Sequence, residues 1–250
     1  MKATGRLSEA HAIHCADCPI RARAVCCYVE QTELQKLNAL KYYKSFGPGQ
    51  EIVAAGEEST AIGSVVEGVV SLSKTMVDGR RQMVGLMFAS DFIGRPQVPV
   101  APYDAVAVTD VTLCLFPRTR FERLLQDTPG LERRLLEVAL DELDAAREWM
   151  LLLGRKSARE KISTFLTILS RRTAAASGES LGDGITVTLP ITREAIGDYL
   201  GLTIETVSRQ LTSLRKDGVI SLKGSRSIGI PDYAELLDAA GEDADGGLIA

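Results

Sequence analysis

The sequence predicts an α+β fold built as a β-roll or barrel, one long helix, and a small C-terminal domain of helices and a hairpin. Three observations predict it. From Lys44 to Phe116 the chain is short apolar alternations broken by Gly, Pro and Asp, as in "AIGSVVEGVVSLSKTMV" and "DAVAVTDVTLCLF", a period-2 pattern of half-buried strands. From Leu131 to Leu153 the period lengthens, with no breaker across roughly 23 residues, or about 35 Å of helix. From Ile191 to Ile230 two short helical patterns meet at a glycine and are followed by two short strands around Lys223-Gly224.

The elements follow in chain order. Residues 1–30 carry "IHCADCPIRARAVCC", from Ile13 to Cys27, which holds four of the five cysteines and one of the two histidines. The N-terminus has no hydrophobic h-region and no apolar run nears 18 residues, so neither a signal peptide nor a membrane span is expected and the protein is read as cytoplasmic. In a reducing compartment clustered thiols point to metal or redox chemistry rather than to disulfides. The fifth, Cys114, lies in a strand pattern where a lone cysteine is ordinarily buried and inert. A zinc site could draw on His11, His14, Cys15, Cys18, Cys26 and Cys27 without Cys114.

Residues 31–130 form the expected roll, with Asp78-Gly79 between two strand patterns as a hairpin signal. In the long helix, placed at 131–156, Leu136, Ala139, Leu143, Ala146, Met150 and Leu153 recur at spacings of three and four, a narrow seam suited to pairing with a second helix. The same stripe could instead pack on the protein's own roll. Asp141, Glu142, Asp144 and Glu148 crowd this helix with only Arg147 beside them, so like-charge repulsion would weaken a parallel pair.

The last folded domain is placed at 157–235, opening with a helix over Ser157 to Arg172, a polar loop and a short strand "ITVTLP". Thr192 and Thr203 are each placed to cap a helix, Gly201 sits where the tight turn needs positive φ, and Ile196, Leu200, Leu202, Val207, Leu211 and Leu214 supply a shared core. This is a helix-turn-helix with a wing. Glu205, Ser208 and Arg209 fall at i, i+3 and i+4 on one face of its second helix, and their chemistry suits base edges: arginine to guanine, carboxylate to the cytosine amino group, serine to either. The plainer reading is a surface ion pair between Glu205 and Arg209. Although the whole chain carries a net charge of -4, Thr203 to Ile230 has five basic and two acidic residues, a local +3. Thr192, Thr203, Lys216, Lys223 and Arg226 are the candidates for DNA contact outside the reading face. Residues 236–250 are expected to be an acidic flexible tail.

A roll, a long helix and a winged helix-turn-helix in that order resemble the Crp/Fnr family of bacterial regulators, over about Leu34 to Tyr233. "GDYLGLTIETVSRQL" is similar to the recognition helix of the FNR branch, which implies a homodimer reading TTGAT, four unspecified bases, then ATCAA in double-stranded DNA. The resemblance implies a roll of the cyclic-nucleotide-binding type. Members that bind cyclic nucleotide carry a Gly-Glu pair and an Arg-Ser pair, whereas Gly94-Arg95 and Tyr103-Asp104 stand here. No cyclic nucleotide is expected, because a carboxylate facing a phosphate is repulsive. "IHCADC" resembles the start of the FNR cluster segment, which implies a 4Fe-4S cluster held by Cys15, Cys18, one of Cys26 and Cys27, and Cys114. The spacing from Cys18 is like that of members from photosynthetic α-proteobacteria, where the first position serves, so Cys26 is preferred over Cys27.

By the same resemblance the cluster promotes homodimerisation and DNA binding, oxygen degrades it and switches binding off, and the regulator acts on anaerobic gene expression through RNA polymerase, with Asp78 to Arg81 a candidate contact. Ala146 departs from the FNR pattern, which has an acidic residue there. No nucleophile–base pair, nucleotide loop or acid pair suggests an enzyme. A constitutive or zinc-stabilised DNA binder with idle thiols is the other reading.

Overall fold

The computed structural model describes residues 13–178, 181 and 184–241. They divide into two compact units, residues 1–140 and 141–250, with the division inside the long helix.

The first unit opens with a 3-10 turn, Cys15–Asp17, and helix α1, Gln31–Leu40, which is started by a reciprocal capping box between Glu30 and Glu33. Eight strands follow: β1 Tyr42–Phe46, β2 Glu51–Val53, β3 Ala61–Glu67, β4 Val70–Thr75, β5 Arg81–Met87, β6 Phe92–Ile93, β7 Asp104–Ala107 and β8 Val111–Pro117. They form two antiparallel four-stranded sheets, ordered β1-β8-β3-β6 and β2-β7-β4-β5. The expected roll is therefore present. Asp78-Gly79 does turn the chain between β4 and β5, within a five-residue loop in which Gly79 takes φ +87°. Helix α2, Arg118–Gln126, which the sequence reading did not anticipate, runs directly on from β8.

Two apolar clusters fill this unit. One lies between the sheets and holds Phe46, Val65, Val70, Leu113 and Leu115. The other lies under β3 and β8 and joins Ile62, Phe116 and Phe121 to Leu34 and Leu37 of α1, to Leu131, and to four residues of the cysteine segment, Ile20, Ala24, Val25 and Val29. Alternation along each strand divides the two: Leu113 and Leu115 face one core, Cys114 and Phe116 the other.

The long helix α3, Pro129–Arg155, starts with proline at a position where its missing N–H costs nothing. All six seam residues are exposed in the single chain, Met150 at 72% and Leu136 at 61%. The opposite side is buried at Leu131 in the first unit and at Leu152 in the second, where Trp149 stacks on Tyr199 at 4.3 Å. The helix is thus anchored near one end in the first unit and near the other in the second.

In the second unit α4, Ala158–Ser177, is capped by Ser157 and Glu160 and buried on every side from Lys161 to Ser170. It extends five residues past Arg172 because "TAAAS", read from sequence as loop, is rich in the best helix former, and it stops only at Gly178 in the left-handed conformation. Strand β9, Ile185–Thr188, pairs with β11, Ser227–Ile230, which pairs with β10, Ser221–Lys223. Helices α5, Arg193–Leu200, and α6, Ile204–Lys216, lie between. Helix α7, Tyr233–Ala240, corrects the expected start of the tail at 236: Asp232 caps it and Leu236, Leu237 and Ala240 are buried. Residues 242–250, the rest of that expected tail, lie outside the described residues, as does His11.

Candidate metal centre and DNA-reading helix

The cysteine segment is a run of tight turns. Cys15 N–H donates to Asn38 Oδ1 of α1 at 3.0 Å, and His14, a possible zinc donor by sequence, instead accepts from Ala16 N–H with Nδ1 at 3.3 Å. Backbone bonds from Arg21 to the Cys18 carbonyl, Ala24 to Ile20, Cys27 to Ala24 and Val29 to Cys26 coil the rest. Ile20, Ala24, Val25 and Val29 enter the lower core, and this spacing of four, one and four is the signal by which the segment's own anchors could have been found. At its far end Tyr28 lies under two guanidinium groups, Arg133 at 5.6 Å and Arg134 at 5.7 Å, and Arg134 also donates to the Arg23 carbonyl at 3.4 Å. Gly130 allows this approach, since a Cβ there would stand 3.0 Å from the Tyr28 carbonyl oxygen.

Cys15 and Cys114 are buried members of that core, and Cys18 and Cys26 pack against it. Burial pushes the Cys114 thiol up to about 12, and the neighbouring Cys15, Cys18 and Cys26 push it further in the same direction. Burial likewise raises Cys26 to about 11, followed by repulsion from Cys18 and Cys15. Cys15 is raised by burial against the opposing pull of Lys41 and Arg21. The four thiols named from sequence thus act on one another across nearly a hundred residues of chain, while Cys27 acts on Cys26 and on Arg134 of α3. Lys41, at the end of α1, is a cation the sequence reading did not find; with Arg21 it faces the thiols, and Arg23 presents its carbonyl to α3.

Among the described residues no three His, Cys, Asp or Glu side chains are gathered around a single-ion position. The donor set fits a larger body. Four soft sulfurs in a largely apolar pocket are the ligand chemistry of an iron–sulfur cubane, whose thiolates stand further apart than those on one ion. Gly63 of β3 lets β8 lie close at Cys114, because a Cβ at Gly63 would run into the Cys114 carbonyl oxygen. Gly63→Ala is expected to push β8 outward and lower cluster content after anaerobic purification by more than half, on the ~1–3 kcal/mol scale of overpacking; unchanged iron and sulfide content would show that the strand yields without cost.

Thr192 and Thr203 cap α5 and α6, accepting from Ala195 and Thr206 N–H, each at 3.2 Å. Gly201 takes φ +64° between the helices, and Gly197 has no room for a Cβ, which would meet the Leu202 carbonyl oxygen at 2.6 Å. Ile196, Leu200, Val207, Leu211 and Leu214 are buried as expected; Leu202, in the turn, is half-buried. Glu205 and Arg209 are exposed and are not paired with each other. The Glu205 carboxyl is held below the usual range by its own backbone N–H and by the Thr203 hydroxyl at the helix start. Ser208 accepts from Arg193 at 3.4 Å, an α5 residue that sequence reasoning missed although it follows the cap directly. Lys216, Lys223 and Arg226 are exposed, and Lys223 Nζ donates to Thr186 Oγ1 at 3.4 Å.

In the roll, the Asp104 carboxylate accepts from Ala55 N–H at 2.8 Å. Gly94 takes φ +97° against Ile62, and Arg95 is exposed.

A thiol-bearing antiparallel roll and a capped, winged helix-turn-helix, with one long helix between them in the chain, define a DNA-binding regulator. Residues 43–128 match the cyclic nucleotide-binding domain family and residues 160–239 the Crp-like helix-turn-helix domain family. The chain is 53% identical to the transcriptional activator protein FnrL of Cereibacter sphaeroides, over 94% of each chain. It is 39% identical to the nitrogen fixation regulation protein FixK of Bradyrhizobium diazoefficiens, over 96% of this chain and all of that one. Among solved structures it resembles FixK2 from Bradyrhizobium japonicum at a TM-score of 0.72 and 32% identity, covering 82% of this chain and 98% of that one. The chain belongs to the Crp/Fnr family of transcription regulators. Among the described residues no helix is long and apolar enough to cross a membrane.

Proposed function

We propose that the protein is an oxygen-responsive transcriptional activator of anaerobic gene expression, holding a 4Fe-4S cluster on Cys15, Cys18, Cys26 and Cys114. One observation carries it: thiols from a terminal segment and a distant strand share one buried core. When bound, the cluster supplies an oxygen-labile iron–sulfur centre whose presence favours the DNA-binding dimer. The chain's own residues do the rest. Ile20, Ala24, Val25 and Val29 seat the segment, Lys41 and Arg21 offset the thiolate charge, and the Tyr28–Arg133–Arg134 contact ties the segment to the start of α3.

The exposed seam of α3 is the dimer interface, and Glu205, Ser208 and Arg209 read TTGAT-type half-sites while Thr192, Thr203, Lys216, Lys223 and Arg226 hold the backbone. The roll takes no cyclic nucleotide: by resemblance Tyr103-Asp104 replaces the Arg-Ser pair that would clamp a phosphate, and the Asp104 carboxylate accepts from Ala55 N–H. The Asp78–Arg81 hairpin is a contact for RNA polymerase. Anaerobic purification followed by absorbance, iron and sulfide measurement tests the reading. A brown protein that binds DNA and loses both properties in air supports it, and a colourless protein that binds DNA equally in air overturns it.

Leu143→Asp tests the interface. Each partner loses an apolar side chain at the seam and gains a charge beside Asp141 and Asp144, so the dimer dissociation constant is expected to rise about a hundredfold or more. Sedimentation of the cluster-loaded protein checks it; an unchanged constant places the interface elsewhere.

A further inference from the structure

Tyr43 is a polar group of the thiol pocket that neither the sequence reading nor the proposed ligand set uses. On β1 it stands directly across from Cys114 of β8, and its ring packs against the lower core with the other thiols. Its hydroxyl donates to the carbonyl of Ile13, two residues before Cys15, at 3.3 Å. Lys41, whose charge faces Cys15 and Cys114, sits 5.0 Å over the same ring. Tyr42, its neighbour, faces the other core.

A phenol has one proton to donate, and two acceptors compete for it here. A neutral thiol is a weak acceptor, so in the metal-free chain the carbonyl of Ile13 takes the bond. A thiolate is a strong one, and charge-assisted bonds are roughly twice as strong as neutral ones. We infer that Tyr43 is a positioning residue for the metal centre: its hydroxyl tethers the cysteine segment through Ile13 in the metal-free chain and turns to Cys114 Sγ when that sulfur is a metal-bound thiolate. The inference rests on the cluster assignment above and adds a hydrogen bond to one of its four sulfurs, one of the levers by which a protein tunes such a centre.

Tyr43→Phe removes only the hydroxyl, and Tyr42→Phe makes the same change facing the other core. After anaerobic purification all three proteins are expected to contain the same iron and sulfide. Tyr43→Phe alone is expected to lose iron to a chelator under anaerobic conditions on the order of tenfold faster, the value of one charge-assisted bond, and to show a shifted sulfur-to-iron charge-transfer band. A second readout needs no cluster: in the metal-free protein, mass-mapped alkylation of Cys15 by iodoacetamide is expected to quicken in Tyr43→Phe, because the tether on Ile13 is gone. Chelator rates, spectra and alkylation that match wild type would overturn the inference. Equal effects from Tyr42→Phe would also overturn it, by reducing Tyr43 to general packing. A wild-type protein without iron would instead sink the cluster assignment, a separate outcome from the first step of the same experiment.

Discussion

Cys26→Ser is expected to emerge from anaerobic purification without iron or sulfide, and Cys27→Ser to keep both. The two cysteines are neighbours in sequence, yet the turns between Ala24 and Val29 send their side chains to different surroundings. Cys26 packs against the core that holds Cys15 and Cys114, and its thiol is raised by burial first and then by Cys18 and Cys15. Cys27 lies on the side of Arg134, which is already joined to Glu137 at 3.1 Å and to the Arg23 carbonyl. A serine hydroxyl at position 26 offers a hard, scarcely ionised oxygen in place of a soft thiolate, and three sulfurs leave one iron of the cubane open. DNA binding by Cys26→Ser should then match that of the air-exposed wild type. Iron and sulfide retained in Cys26→Ser and lost in Cys27→Ser would reverse the assignment and place the third donor beside the long helix.

Much of this was legible because it is local. The helix-turn-helix declares itself within twenty-five residues through two threonine caps, one glycine at positive φ and apolar spacings of three and four, and each is met in the structure. The reading face was equally legible, since residues at i, i+3 and i+4 must share a side of a helix. The seam was legible as a stripe, but only the fold shows it exposed rather than covered. The thiol pocket was legible only in part. Periodicity put Cys114 in a strand, but nothing local says that β8 lies between β1 and β3 and that its face turned away from the second sheet meets α1 and the terminal segment. Lys41 and Tyr43 were missed for the same reason: they reach the thiols through the pairing of β1 with β8, a contact between residues about seventy apart. The helices α1, α2 and α7 were missed because each is only eight to ten residues long, too short for a periodic signal to stand out, and each holds through its buried leucines rather than by propensity.

Arg209→Ala is expected to remove sequence discrimination while leaving much of the general affinity for DNA. The side chain projects from the exposed face of α6, unpaired with Glu205, so its guanidinium is free to place two hydrogen bonds on one guanine edge. Losing such a pair costs about 1–3 kcal/mol per half-site. A homodimer loses it twice, so binding to a TTGAT/ATCAA palindrome is expected to fall by roughly 2–6 kcal/mol, if the two halves add. Arg209→Lys keeps the charge but not the planar fork, and is expected to behave nearly as badly on the palindrome. Lys216→Ala makes the useful contrast. Its ammonium, in the last turn of α6 about two turns beyond Arg209, is expected to weaken binding to all sequences alike and to reduce the salt dependence of binding by about one counterion per subunit. Titrations of cluster-loaded protein against the palindrome and against a scrambled duplex, at several salt concentrations, separate the two behaviours. If Arg209→Ala lowers affinity for both duplexes equally and changes the salt slope, the residue is one more backbone contact, and the reading of base edges has to be sought elsewhere on α6.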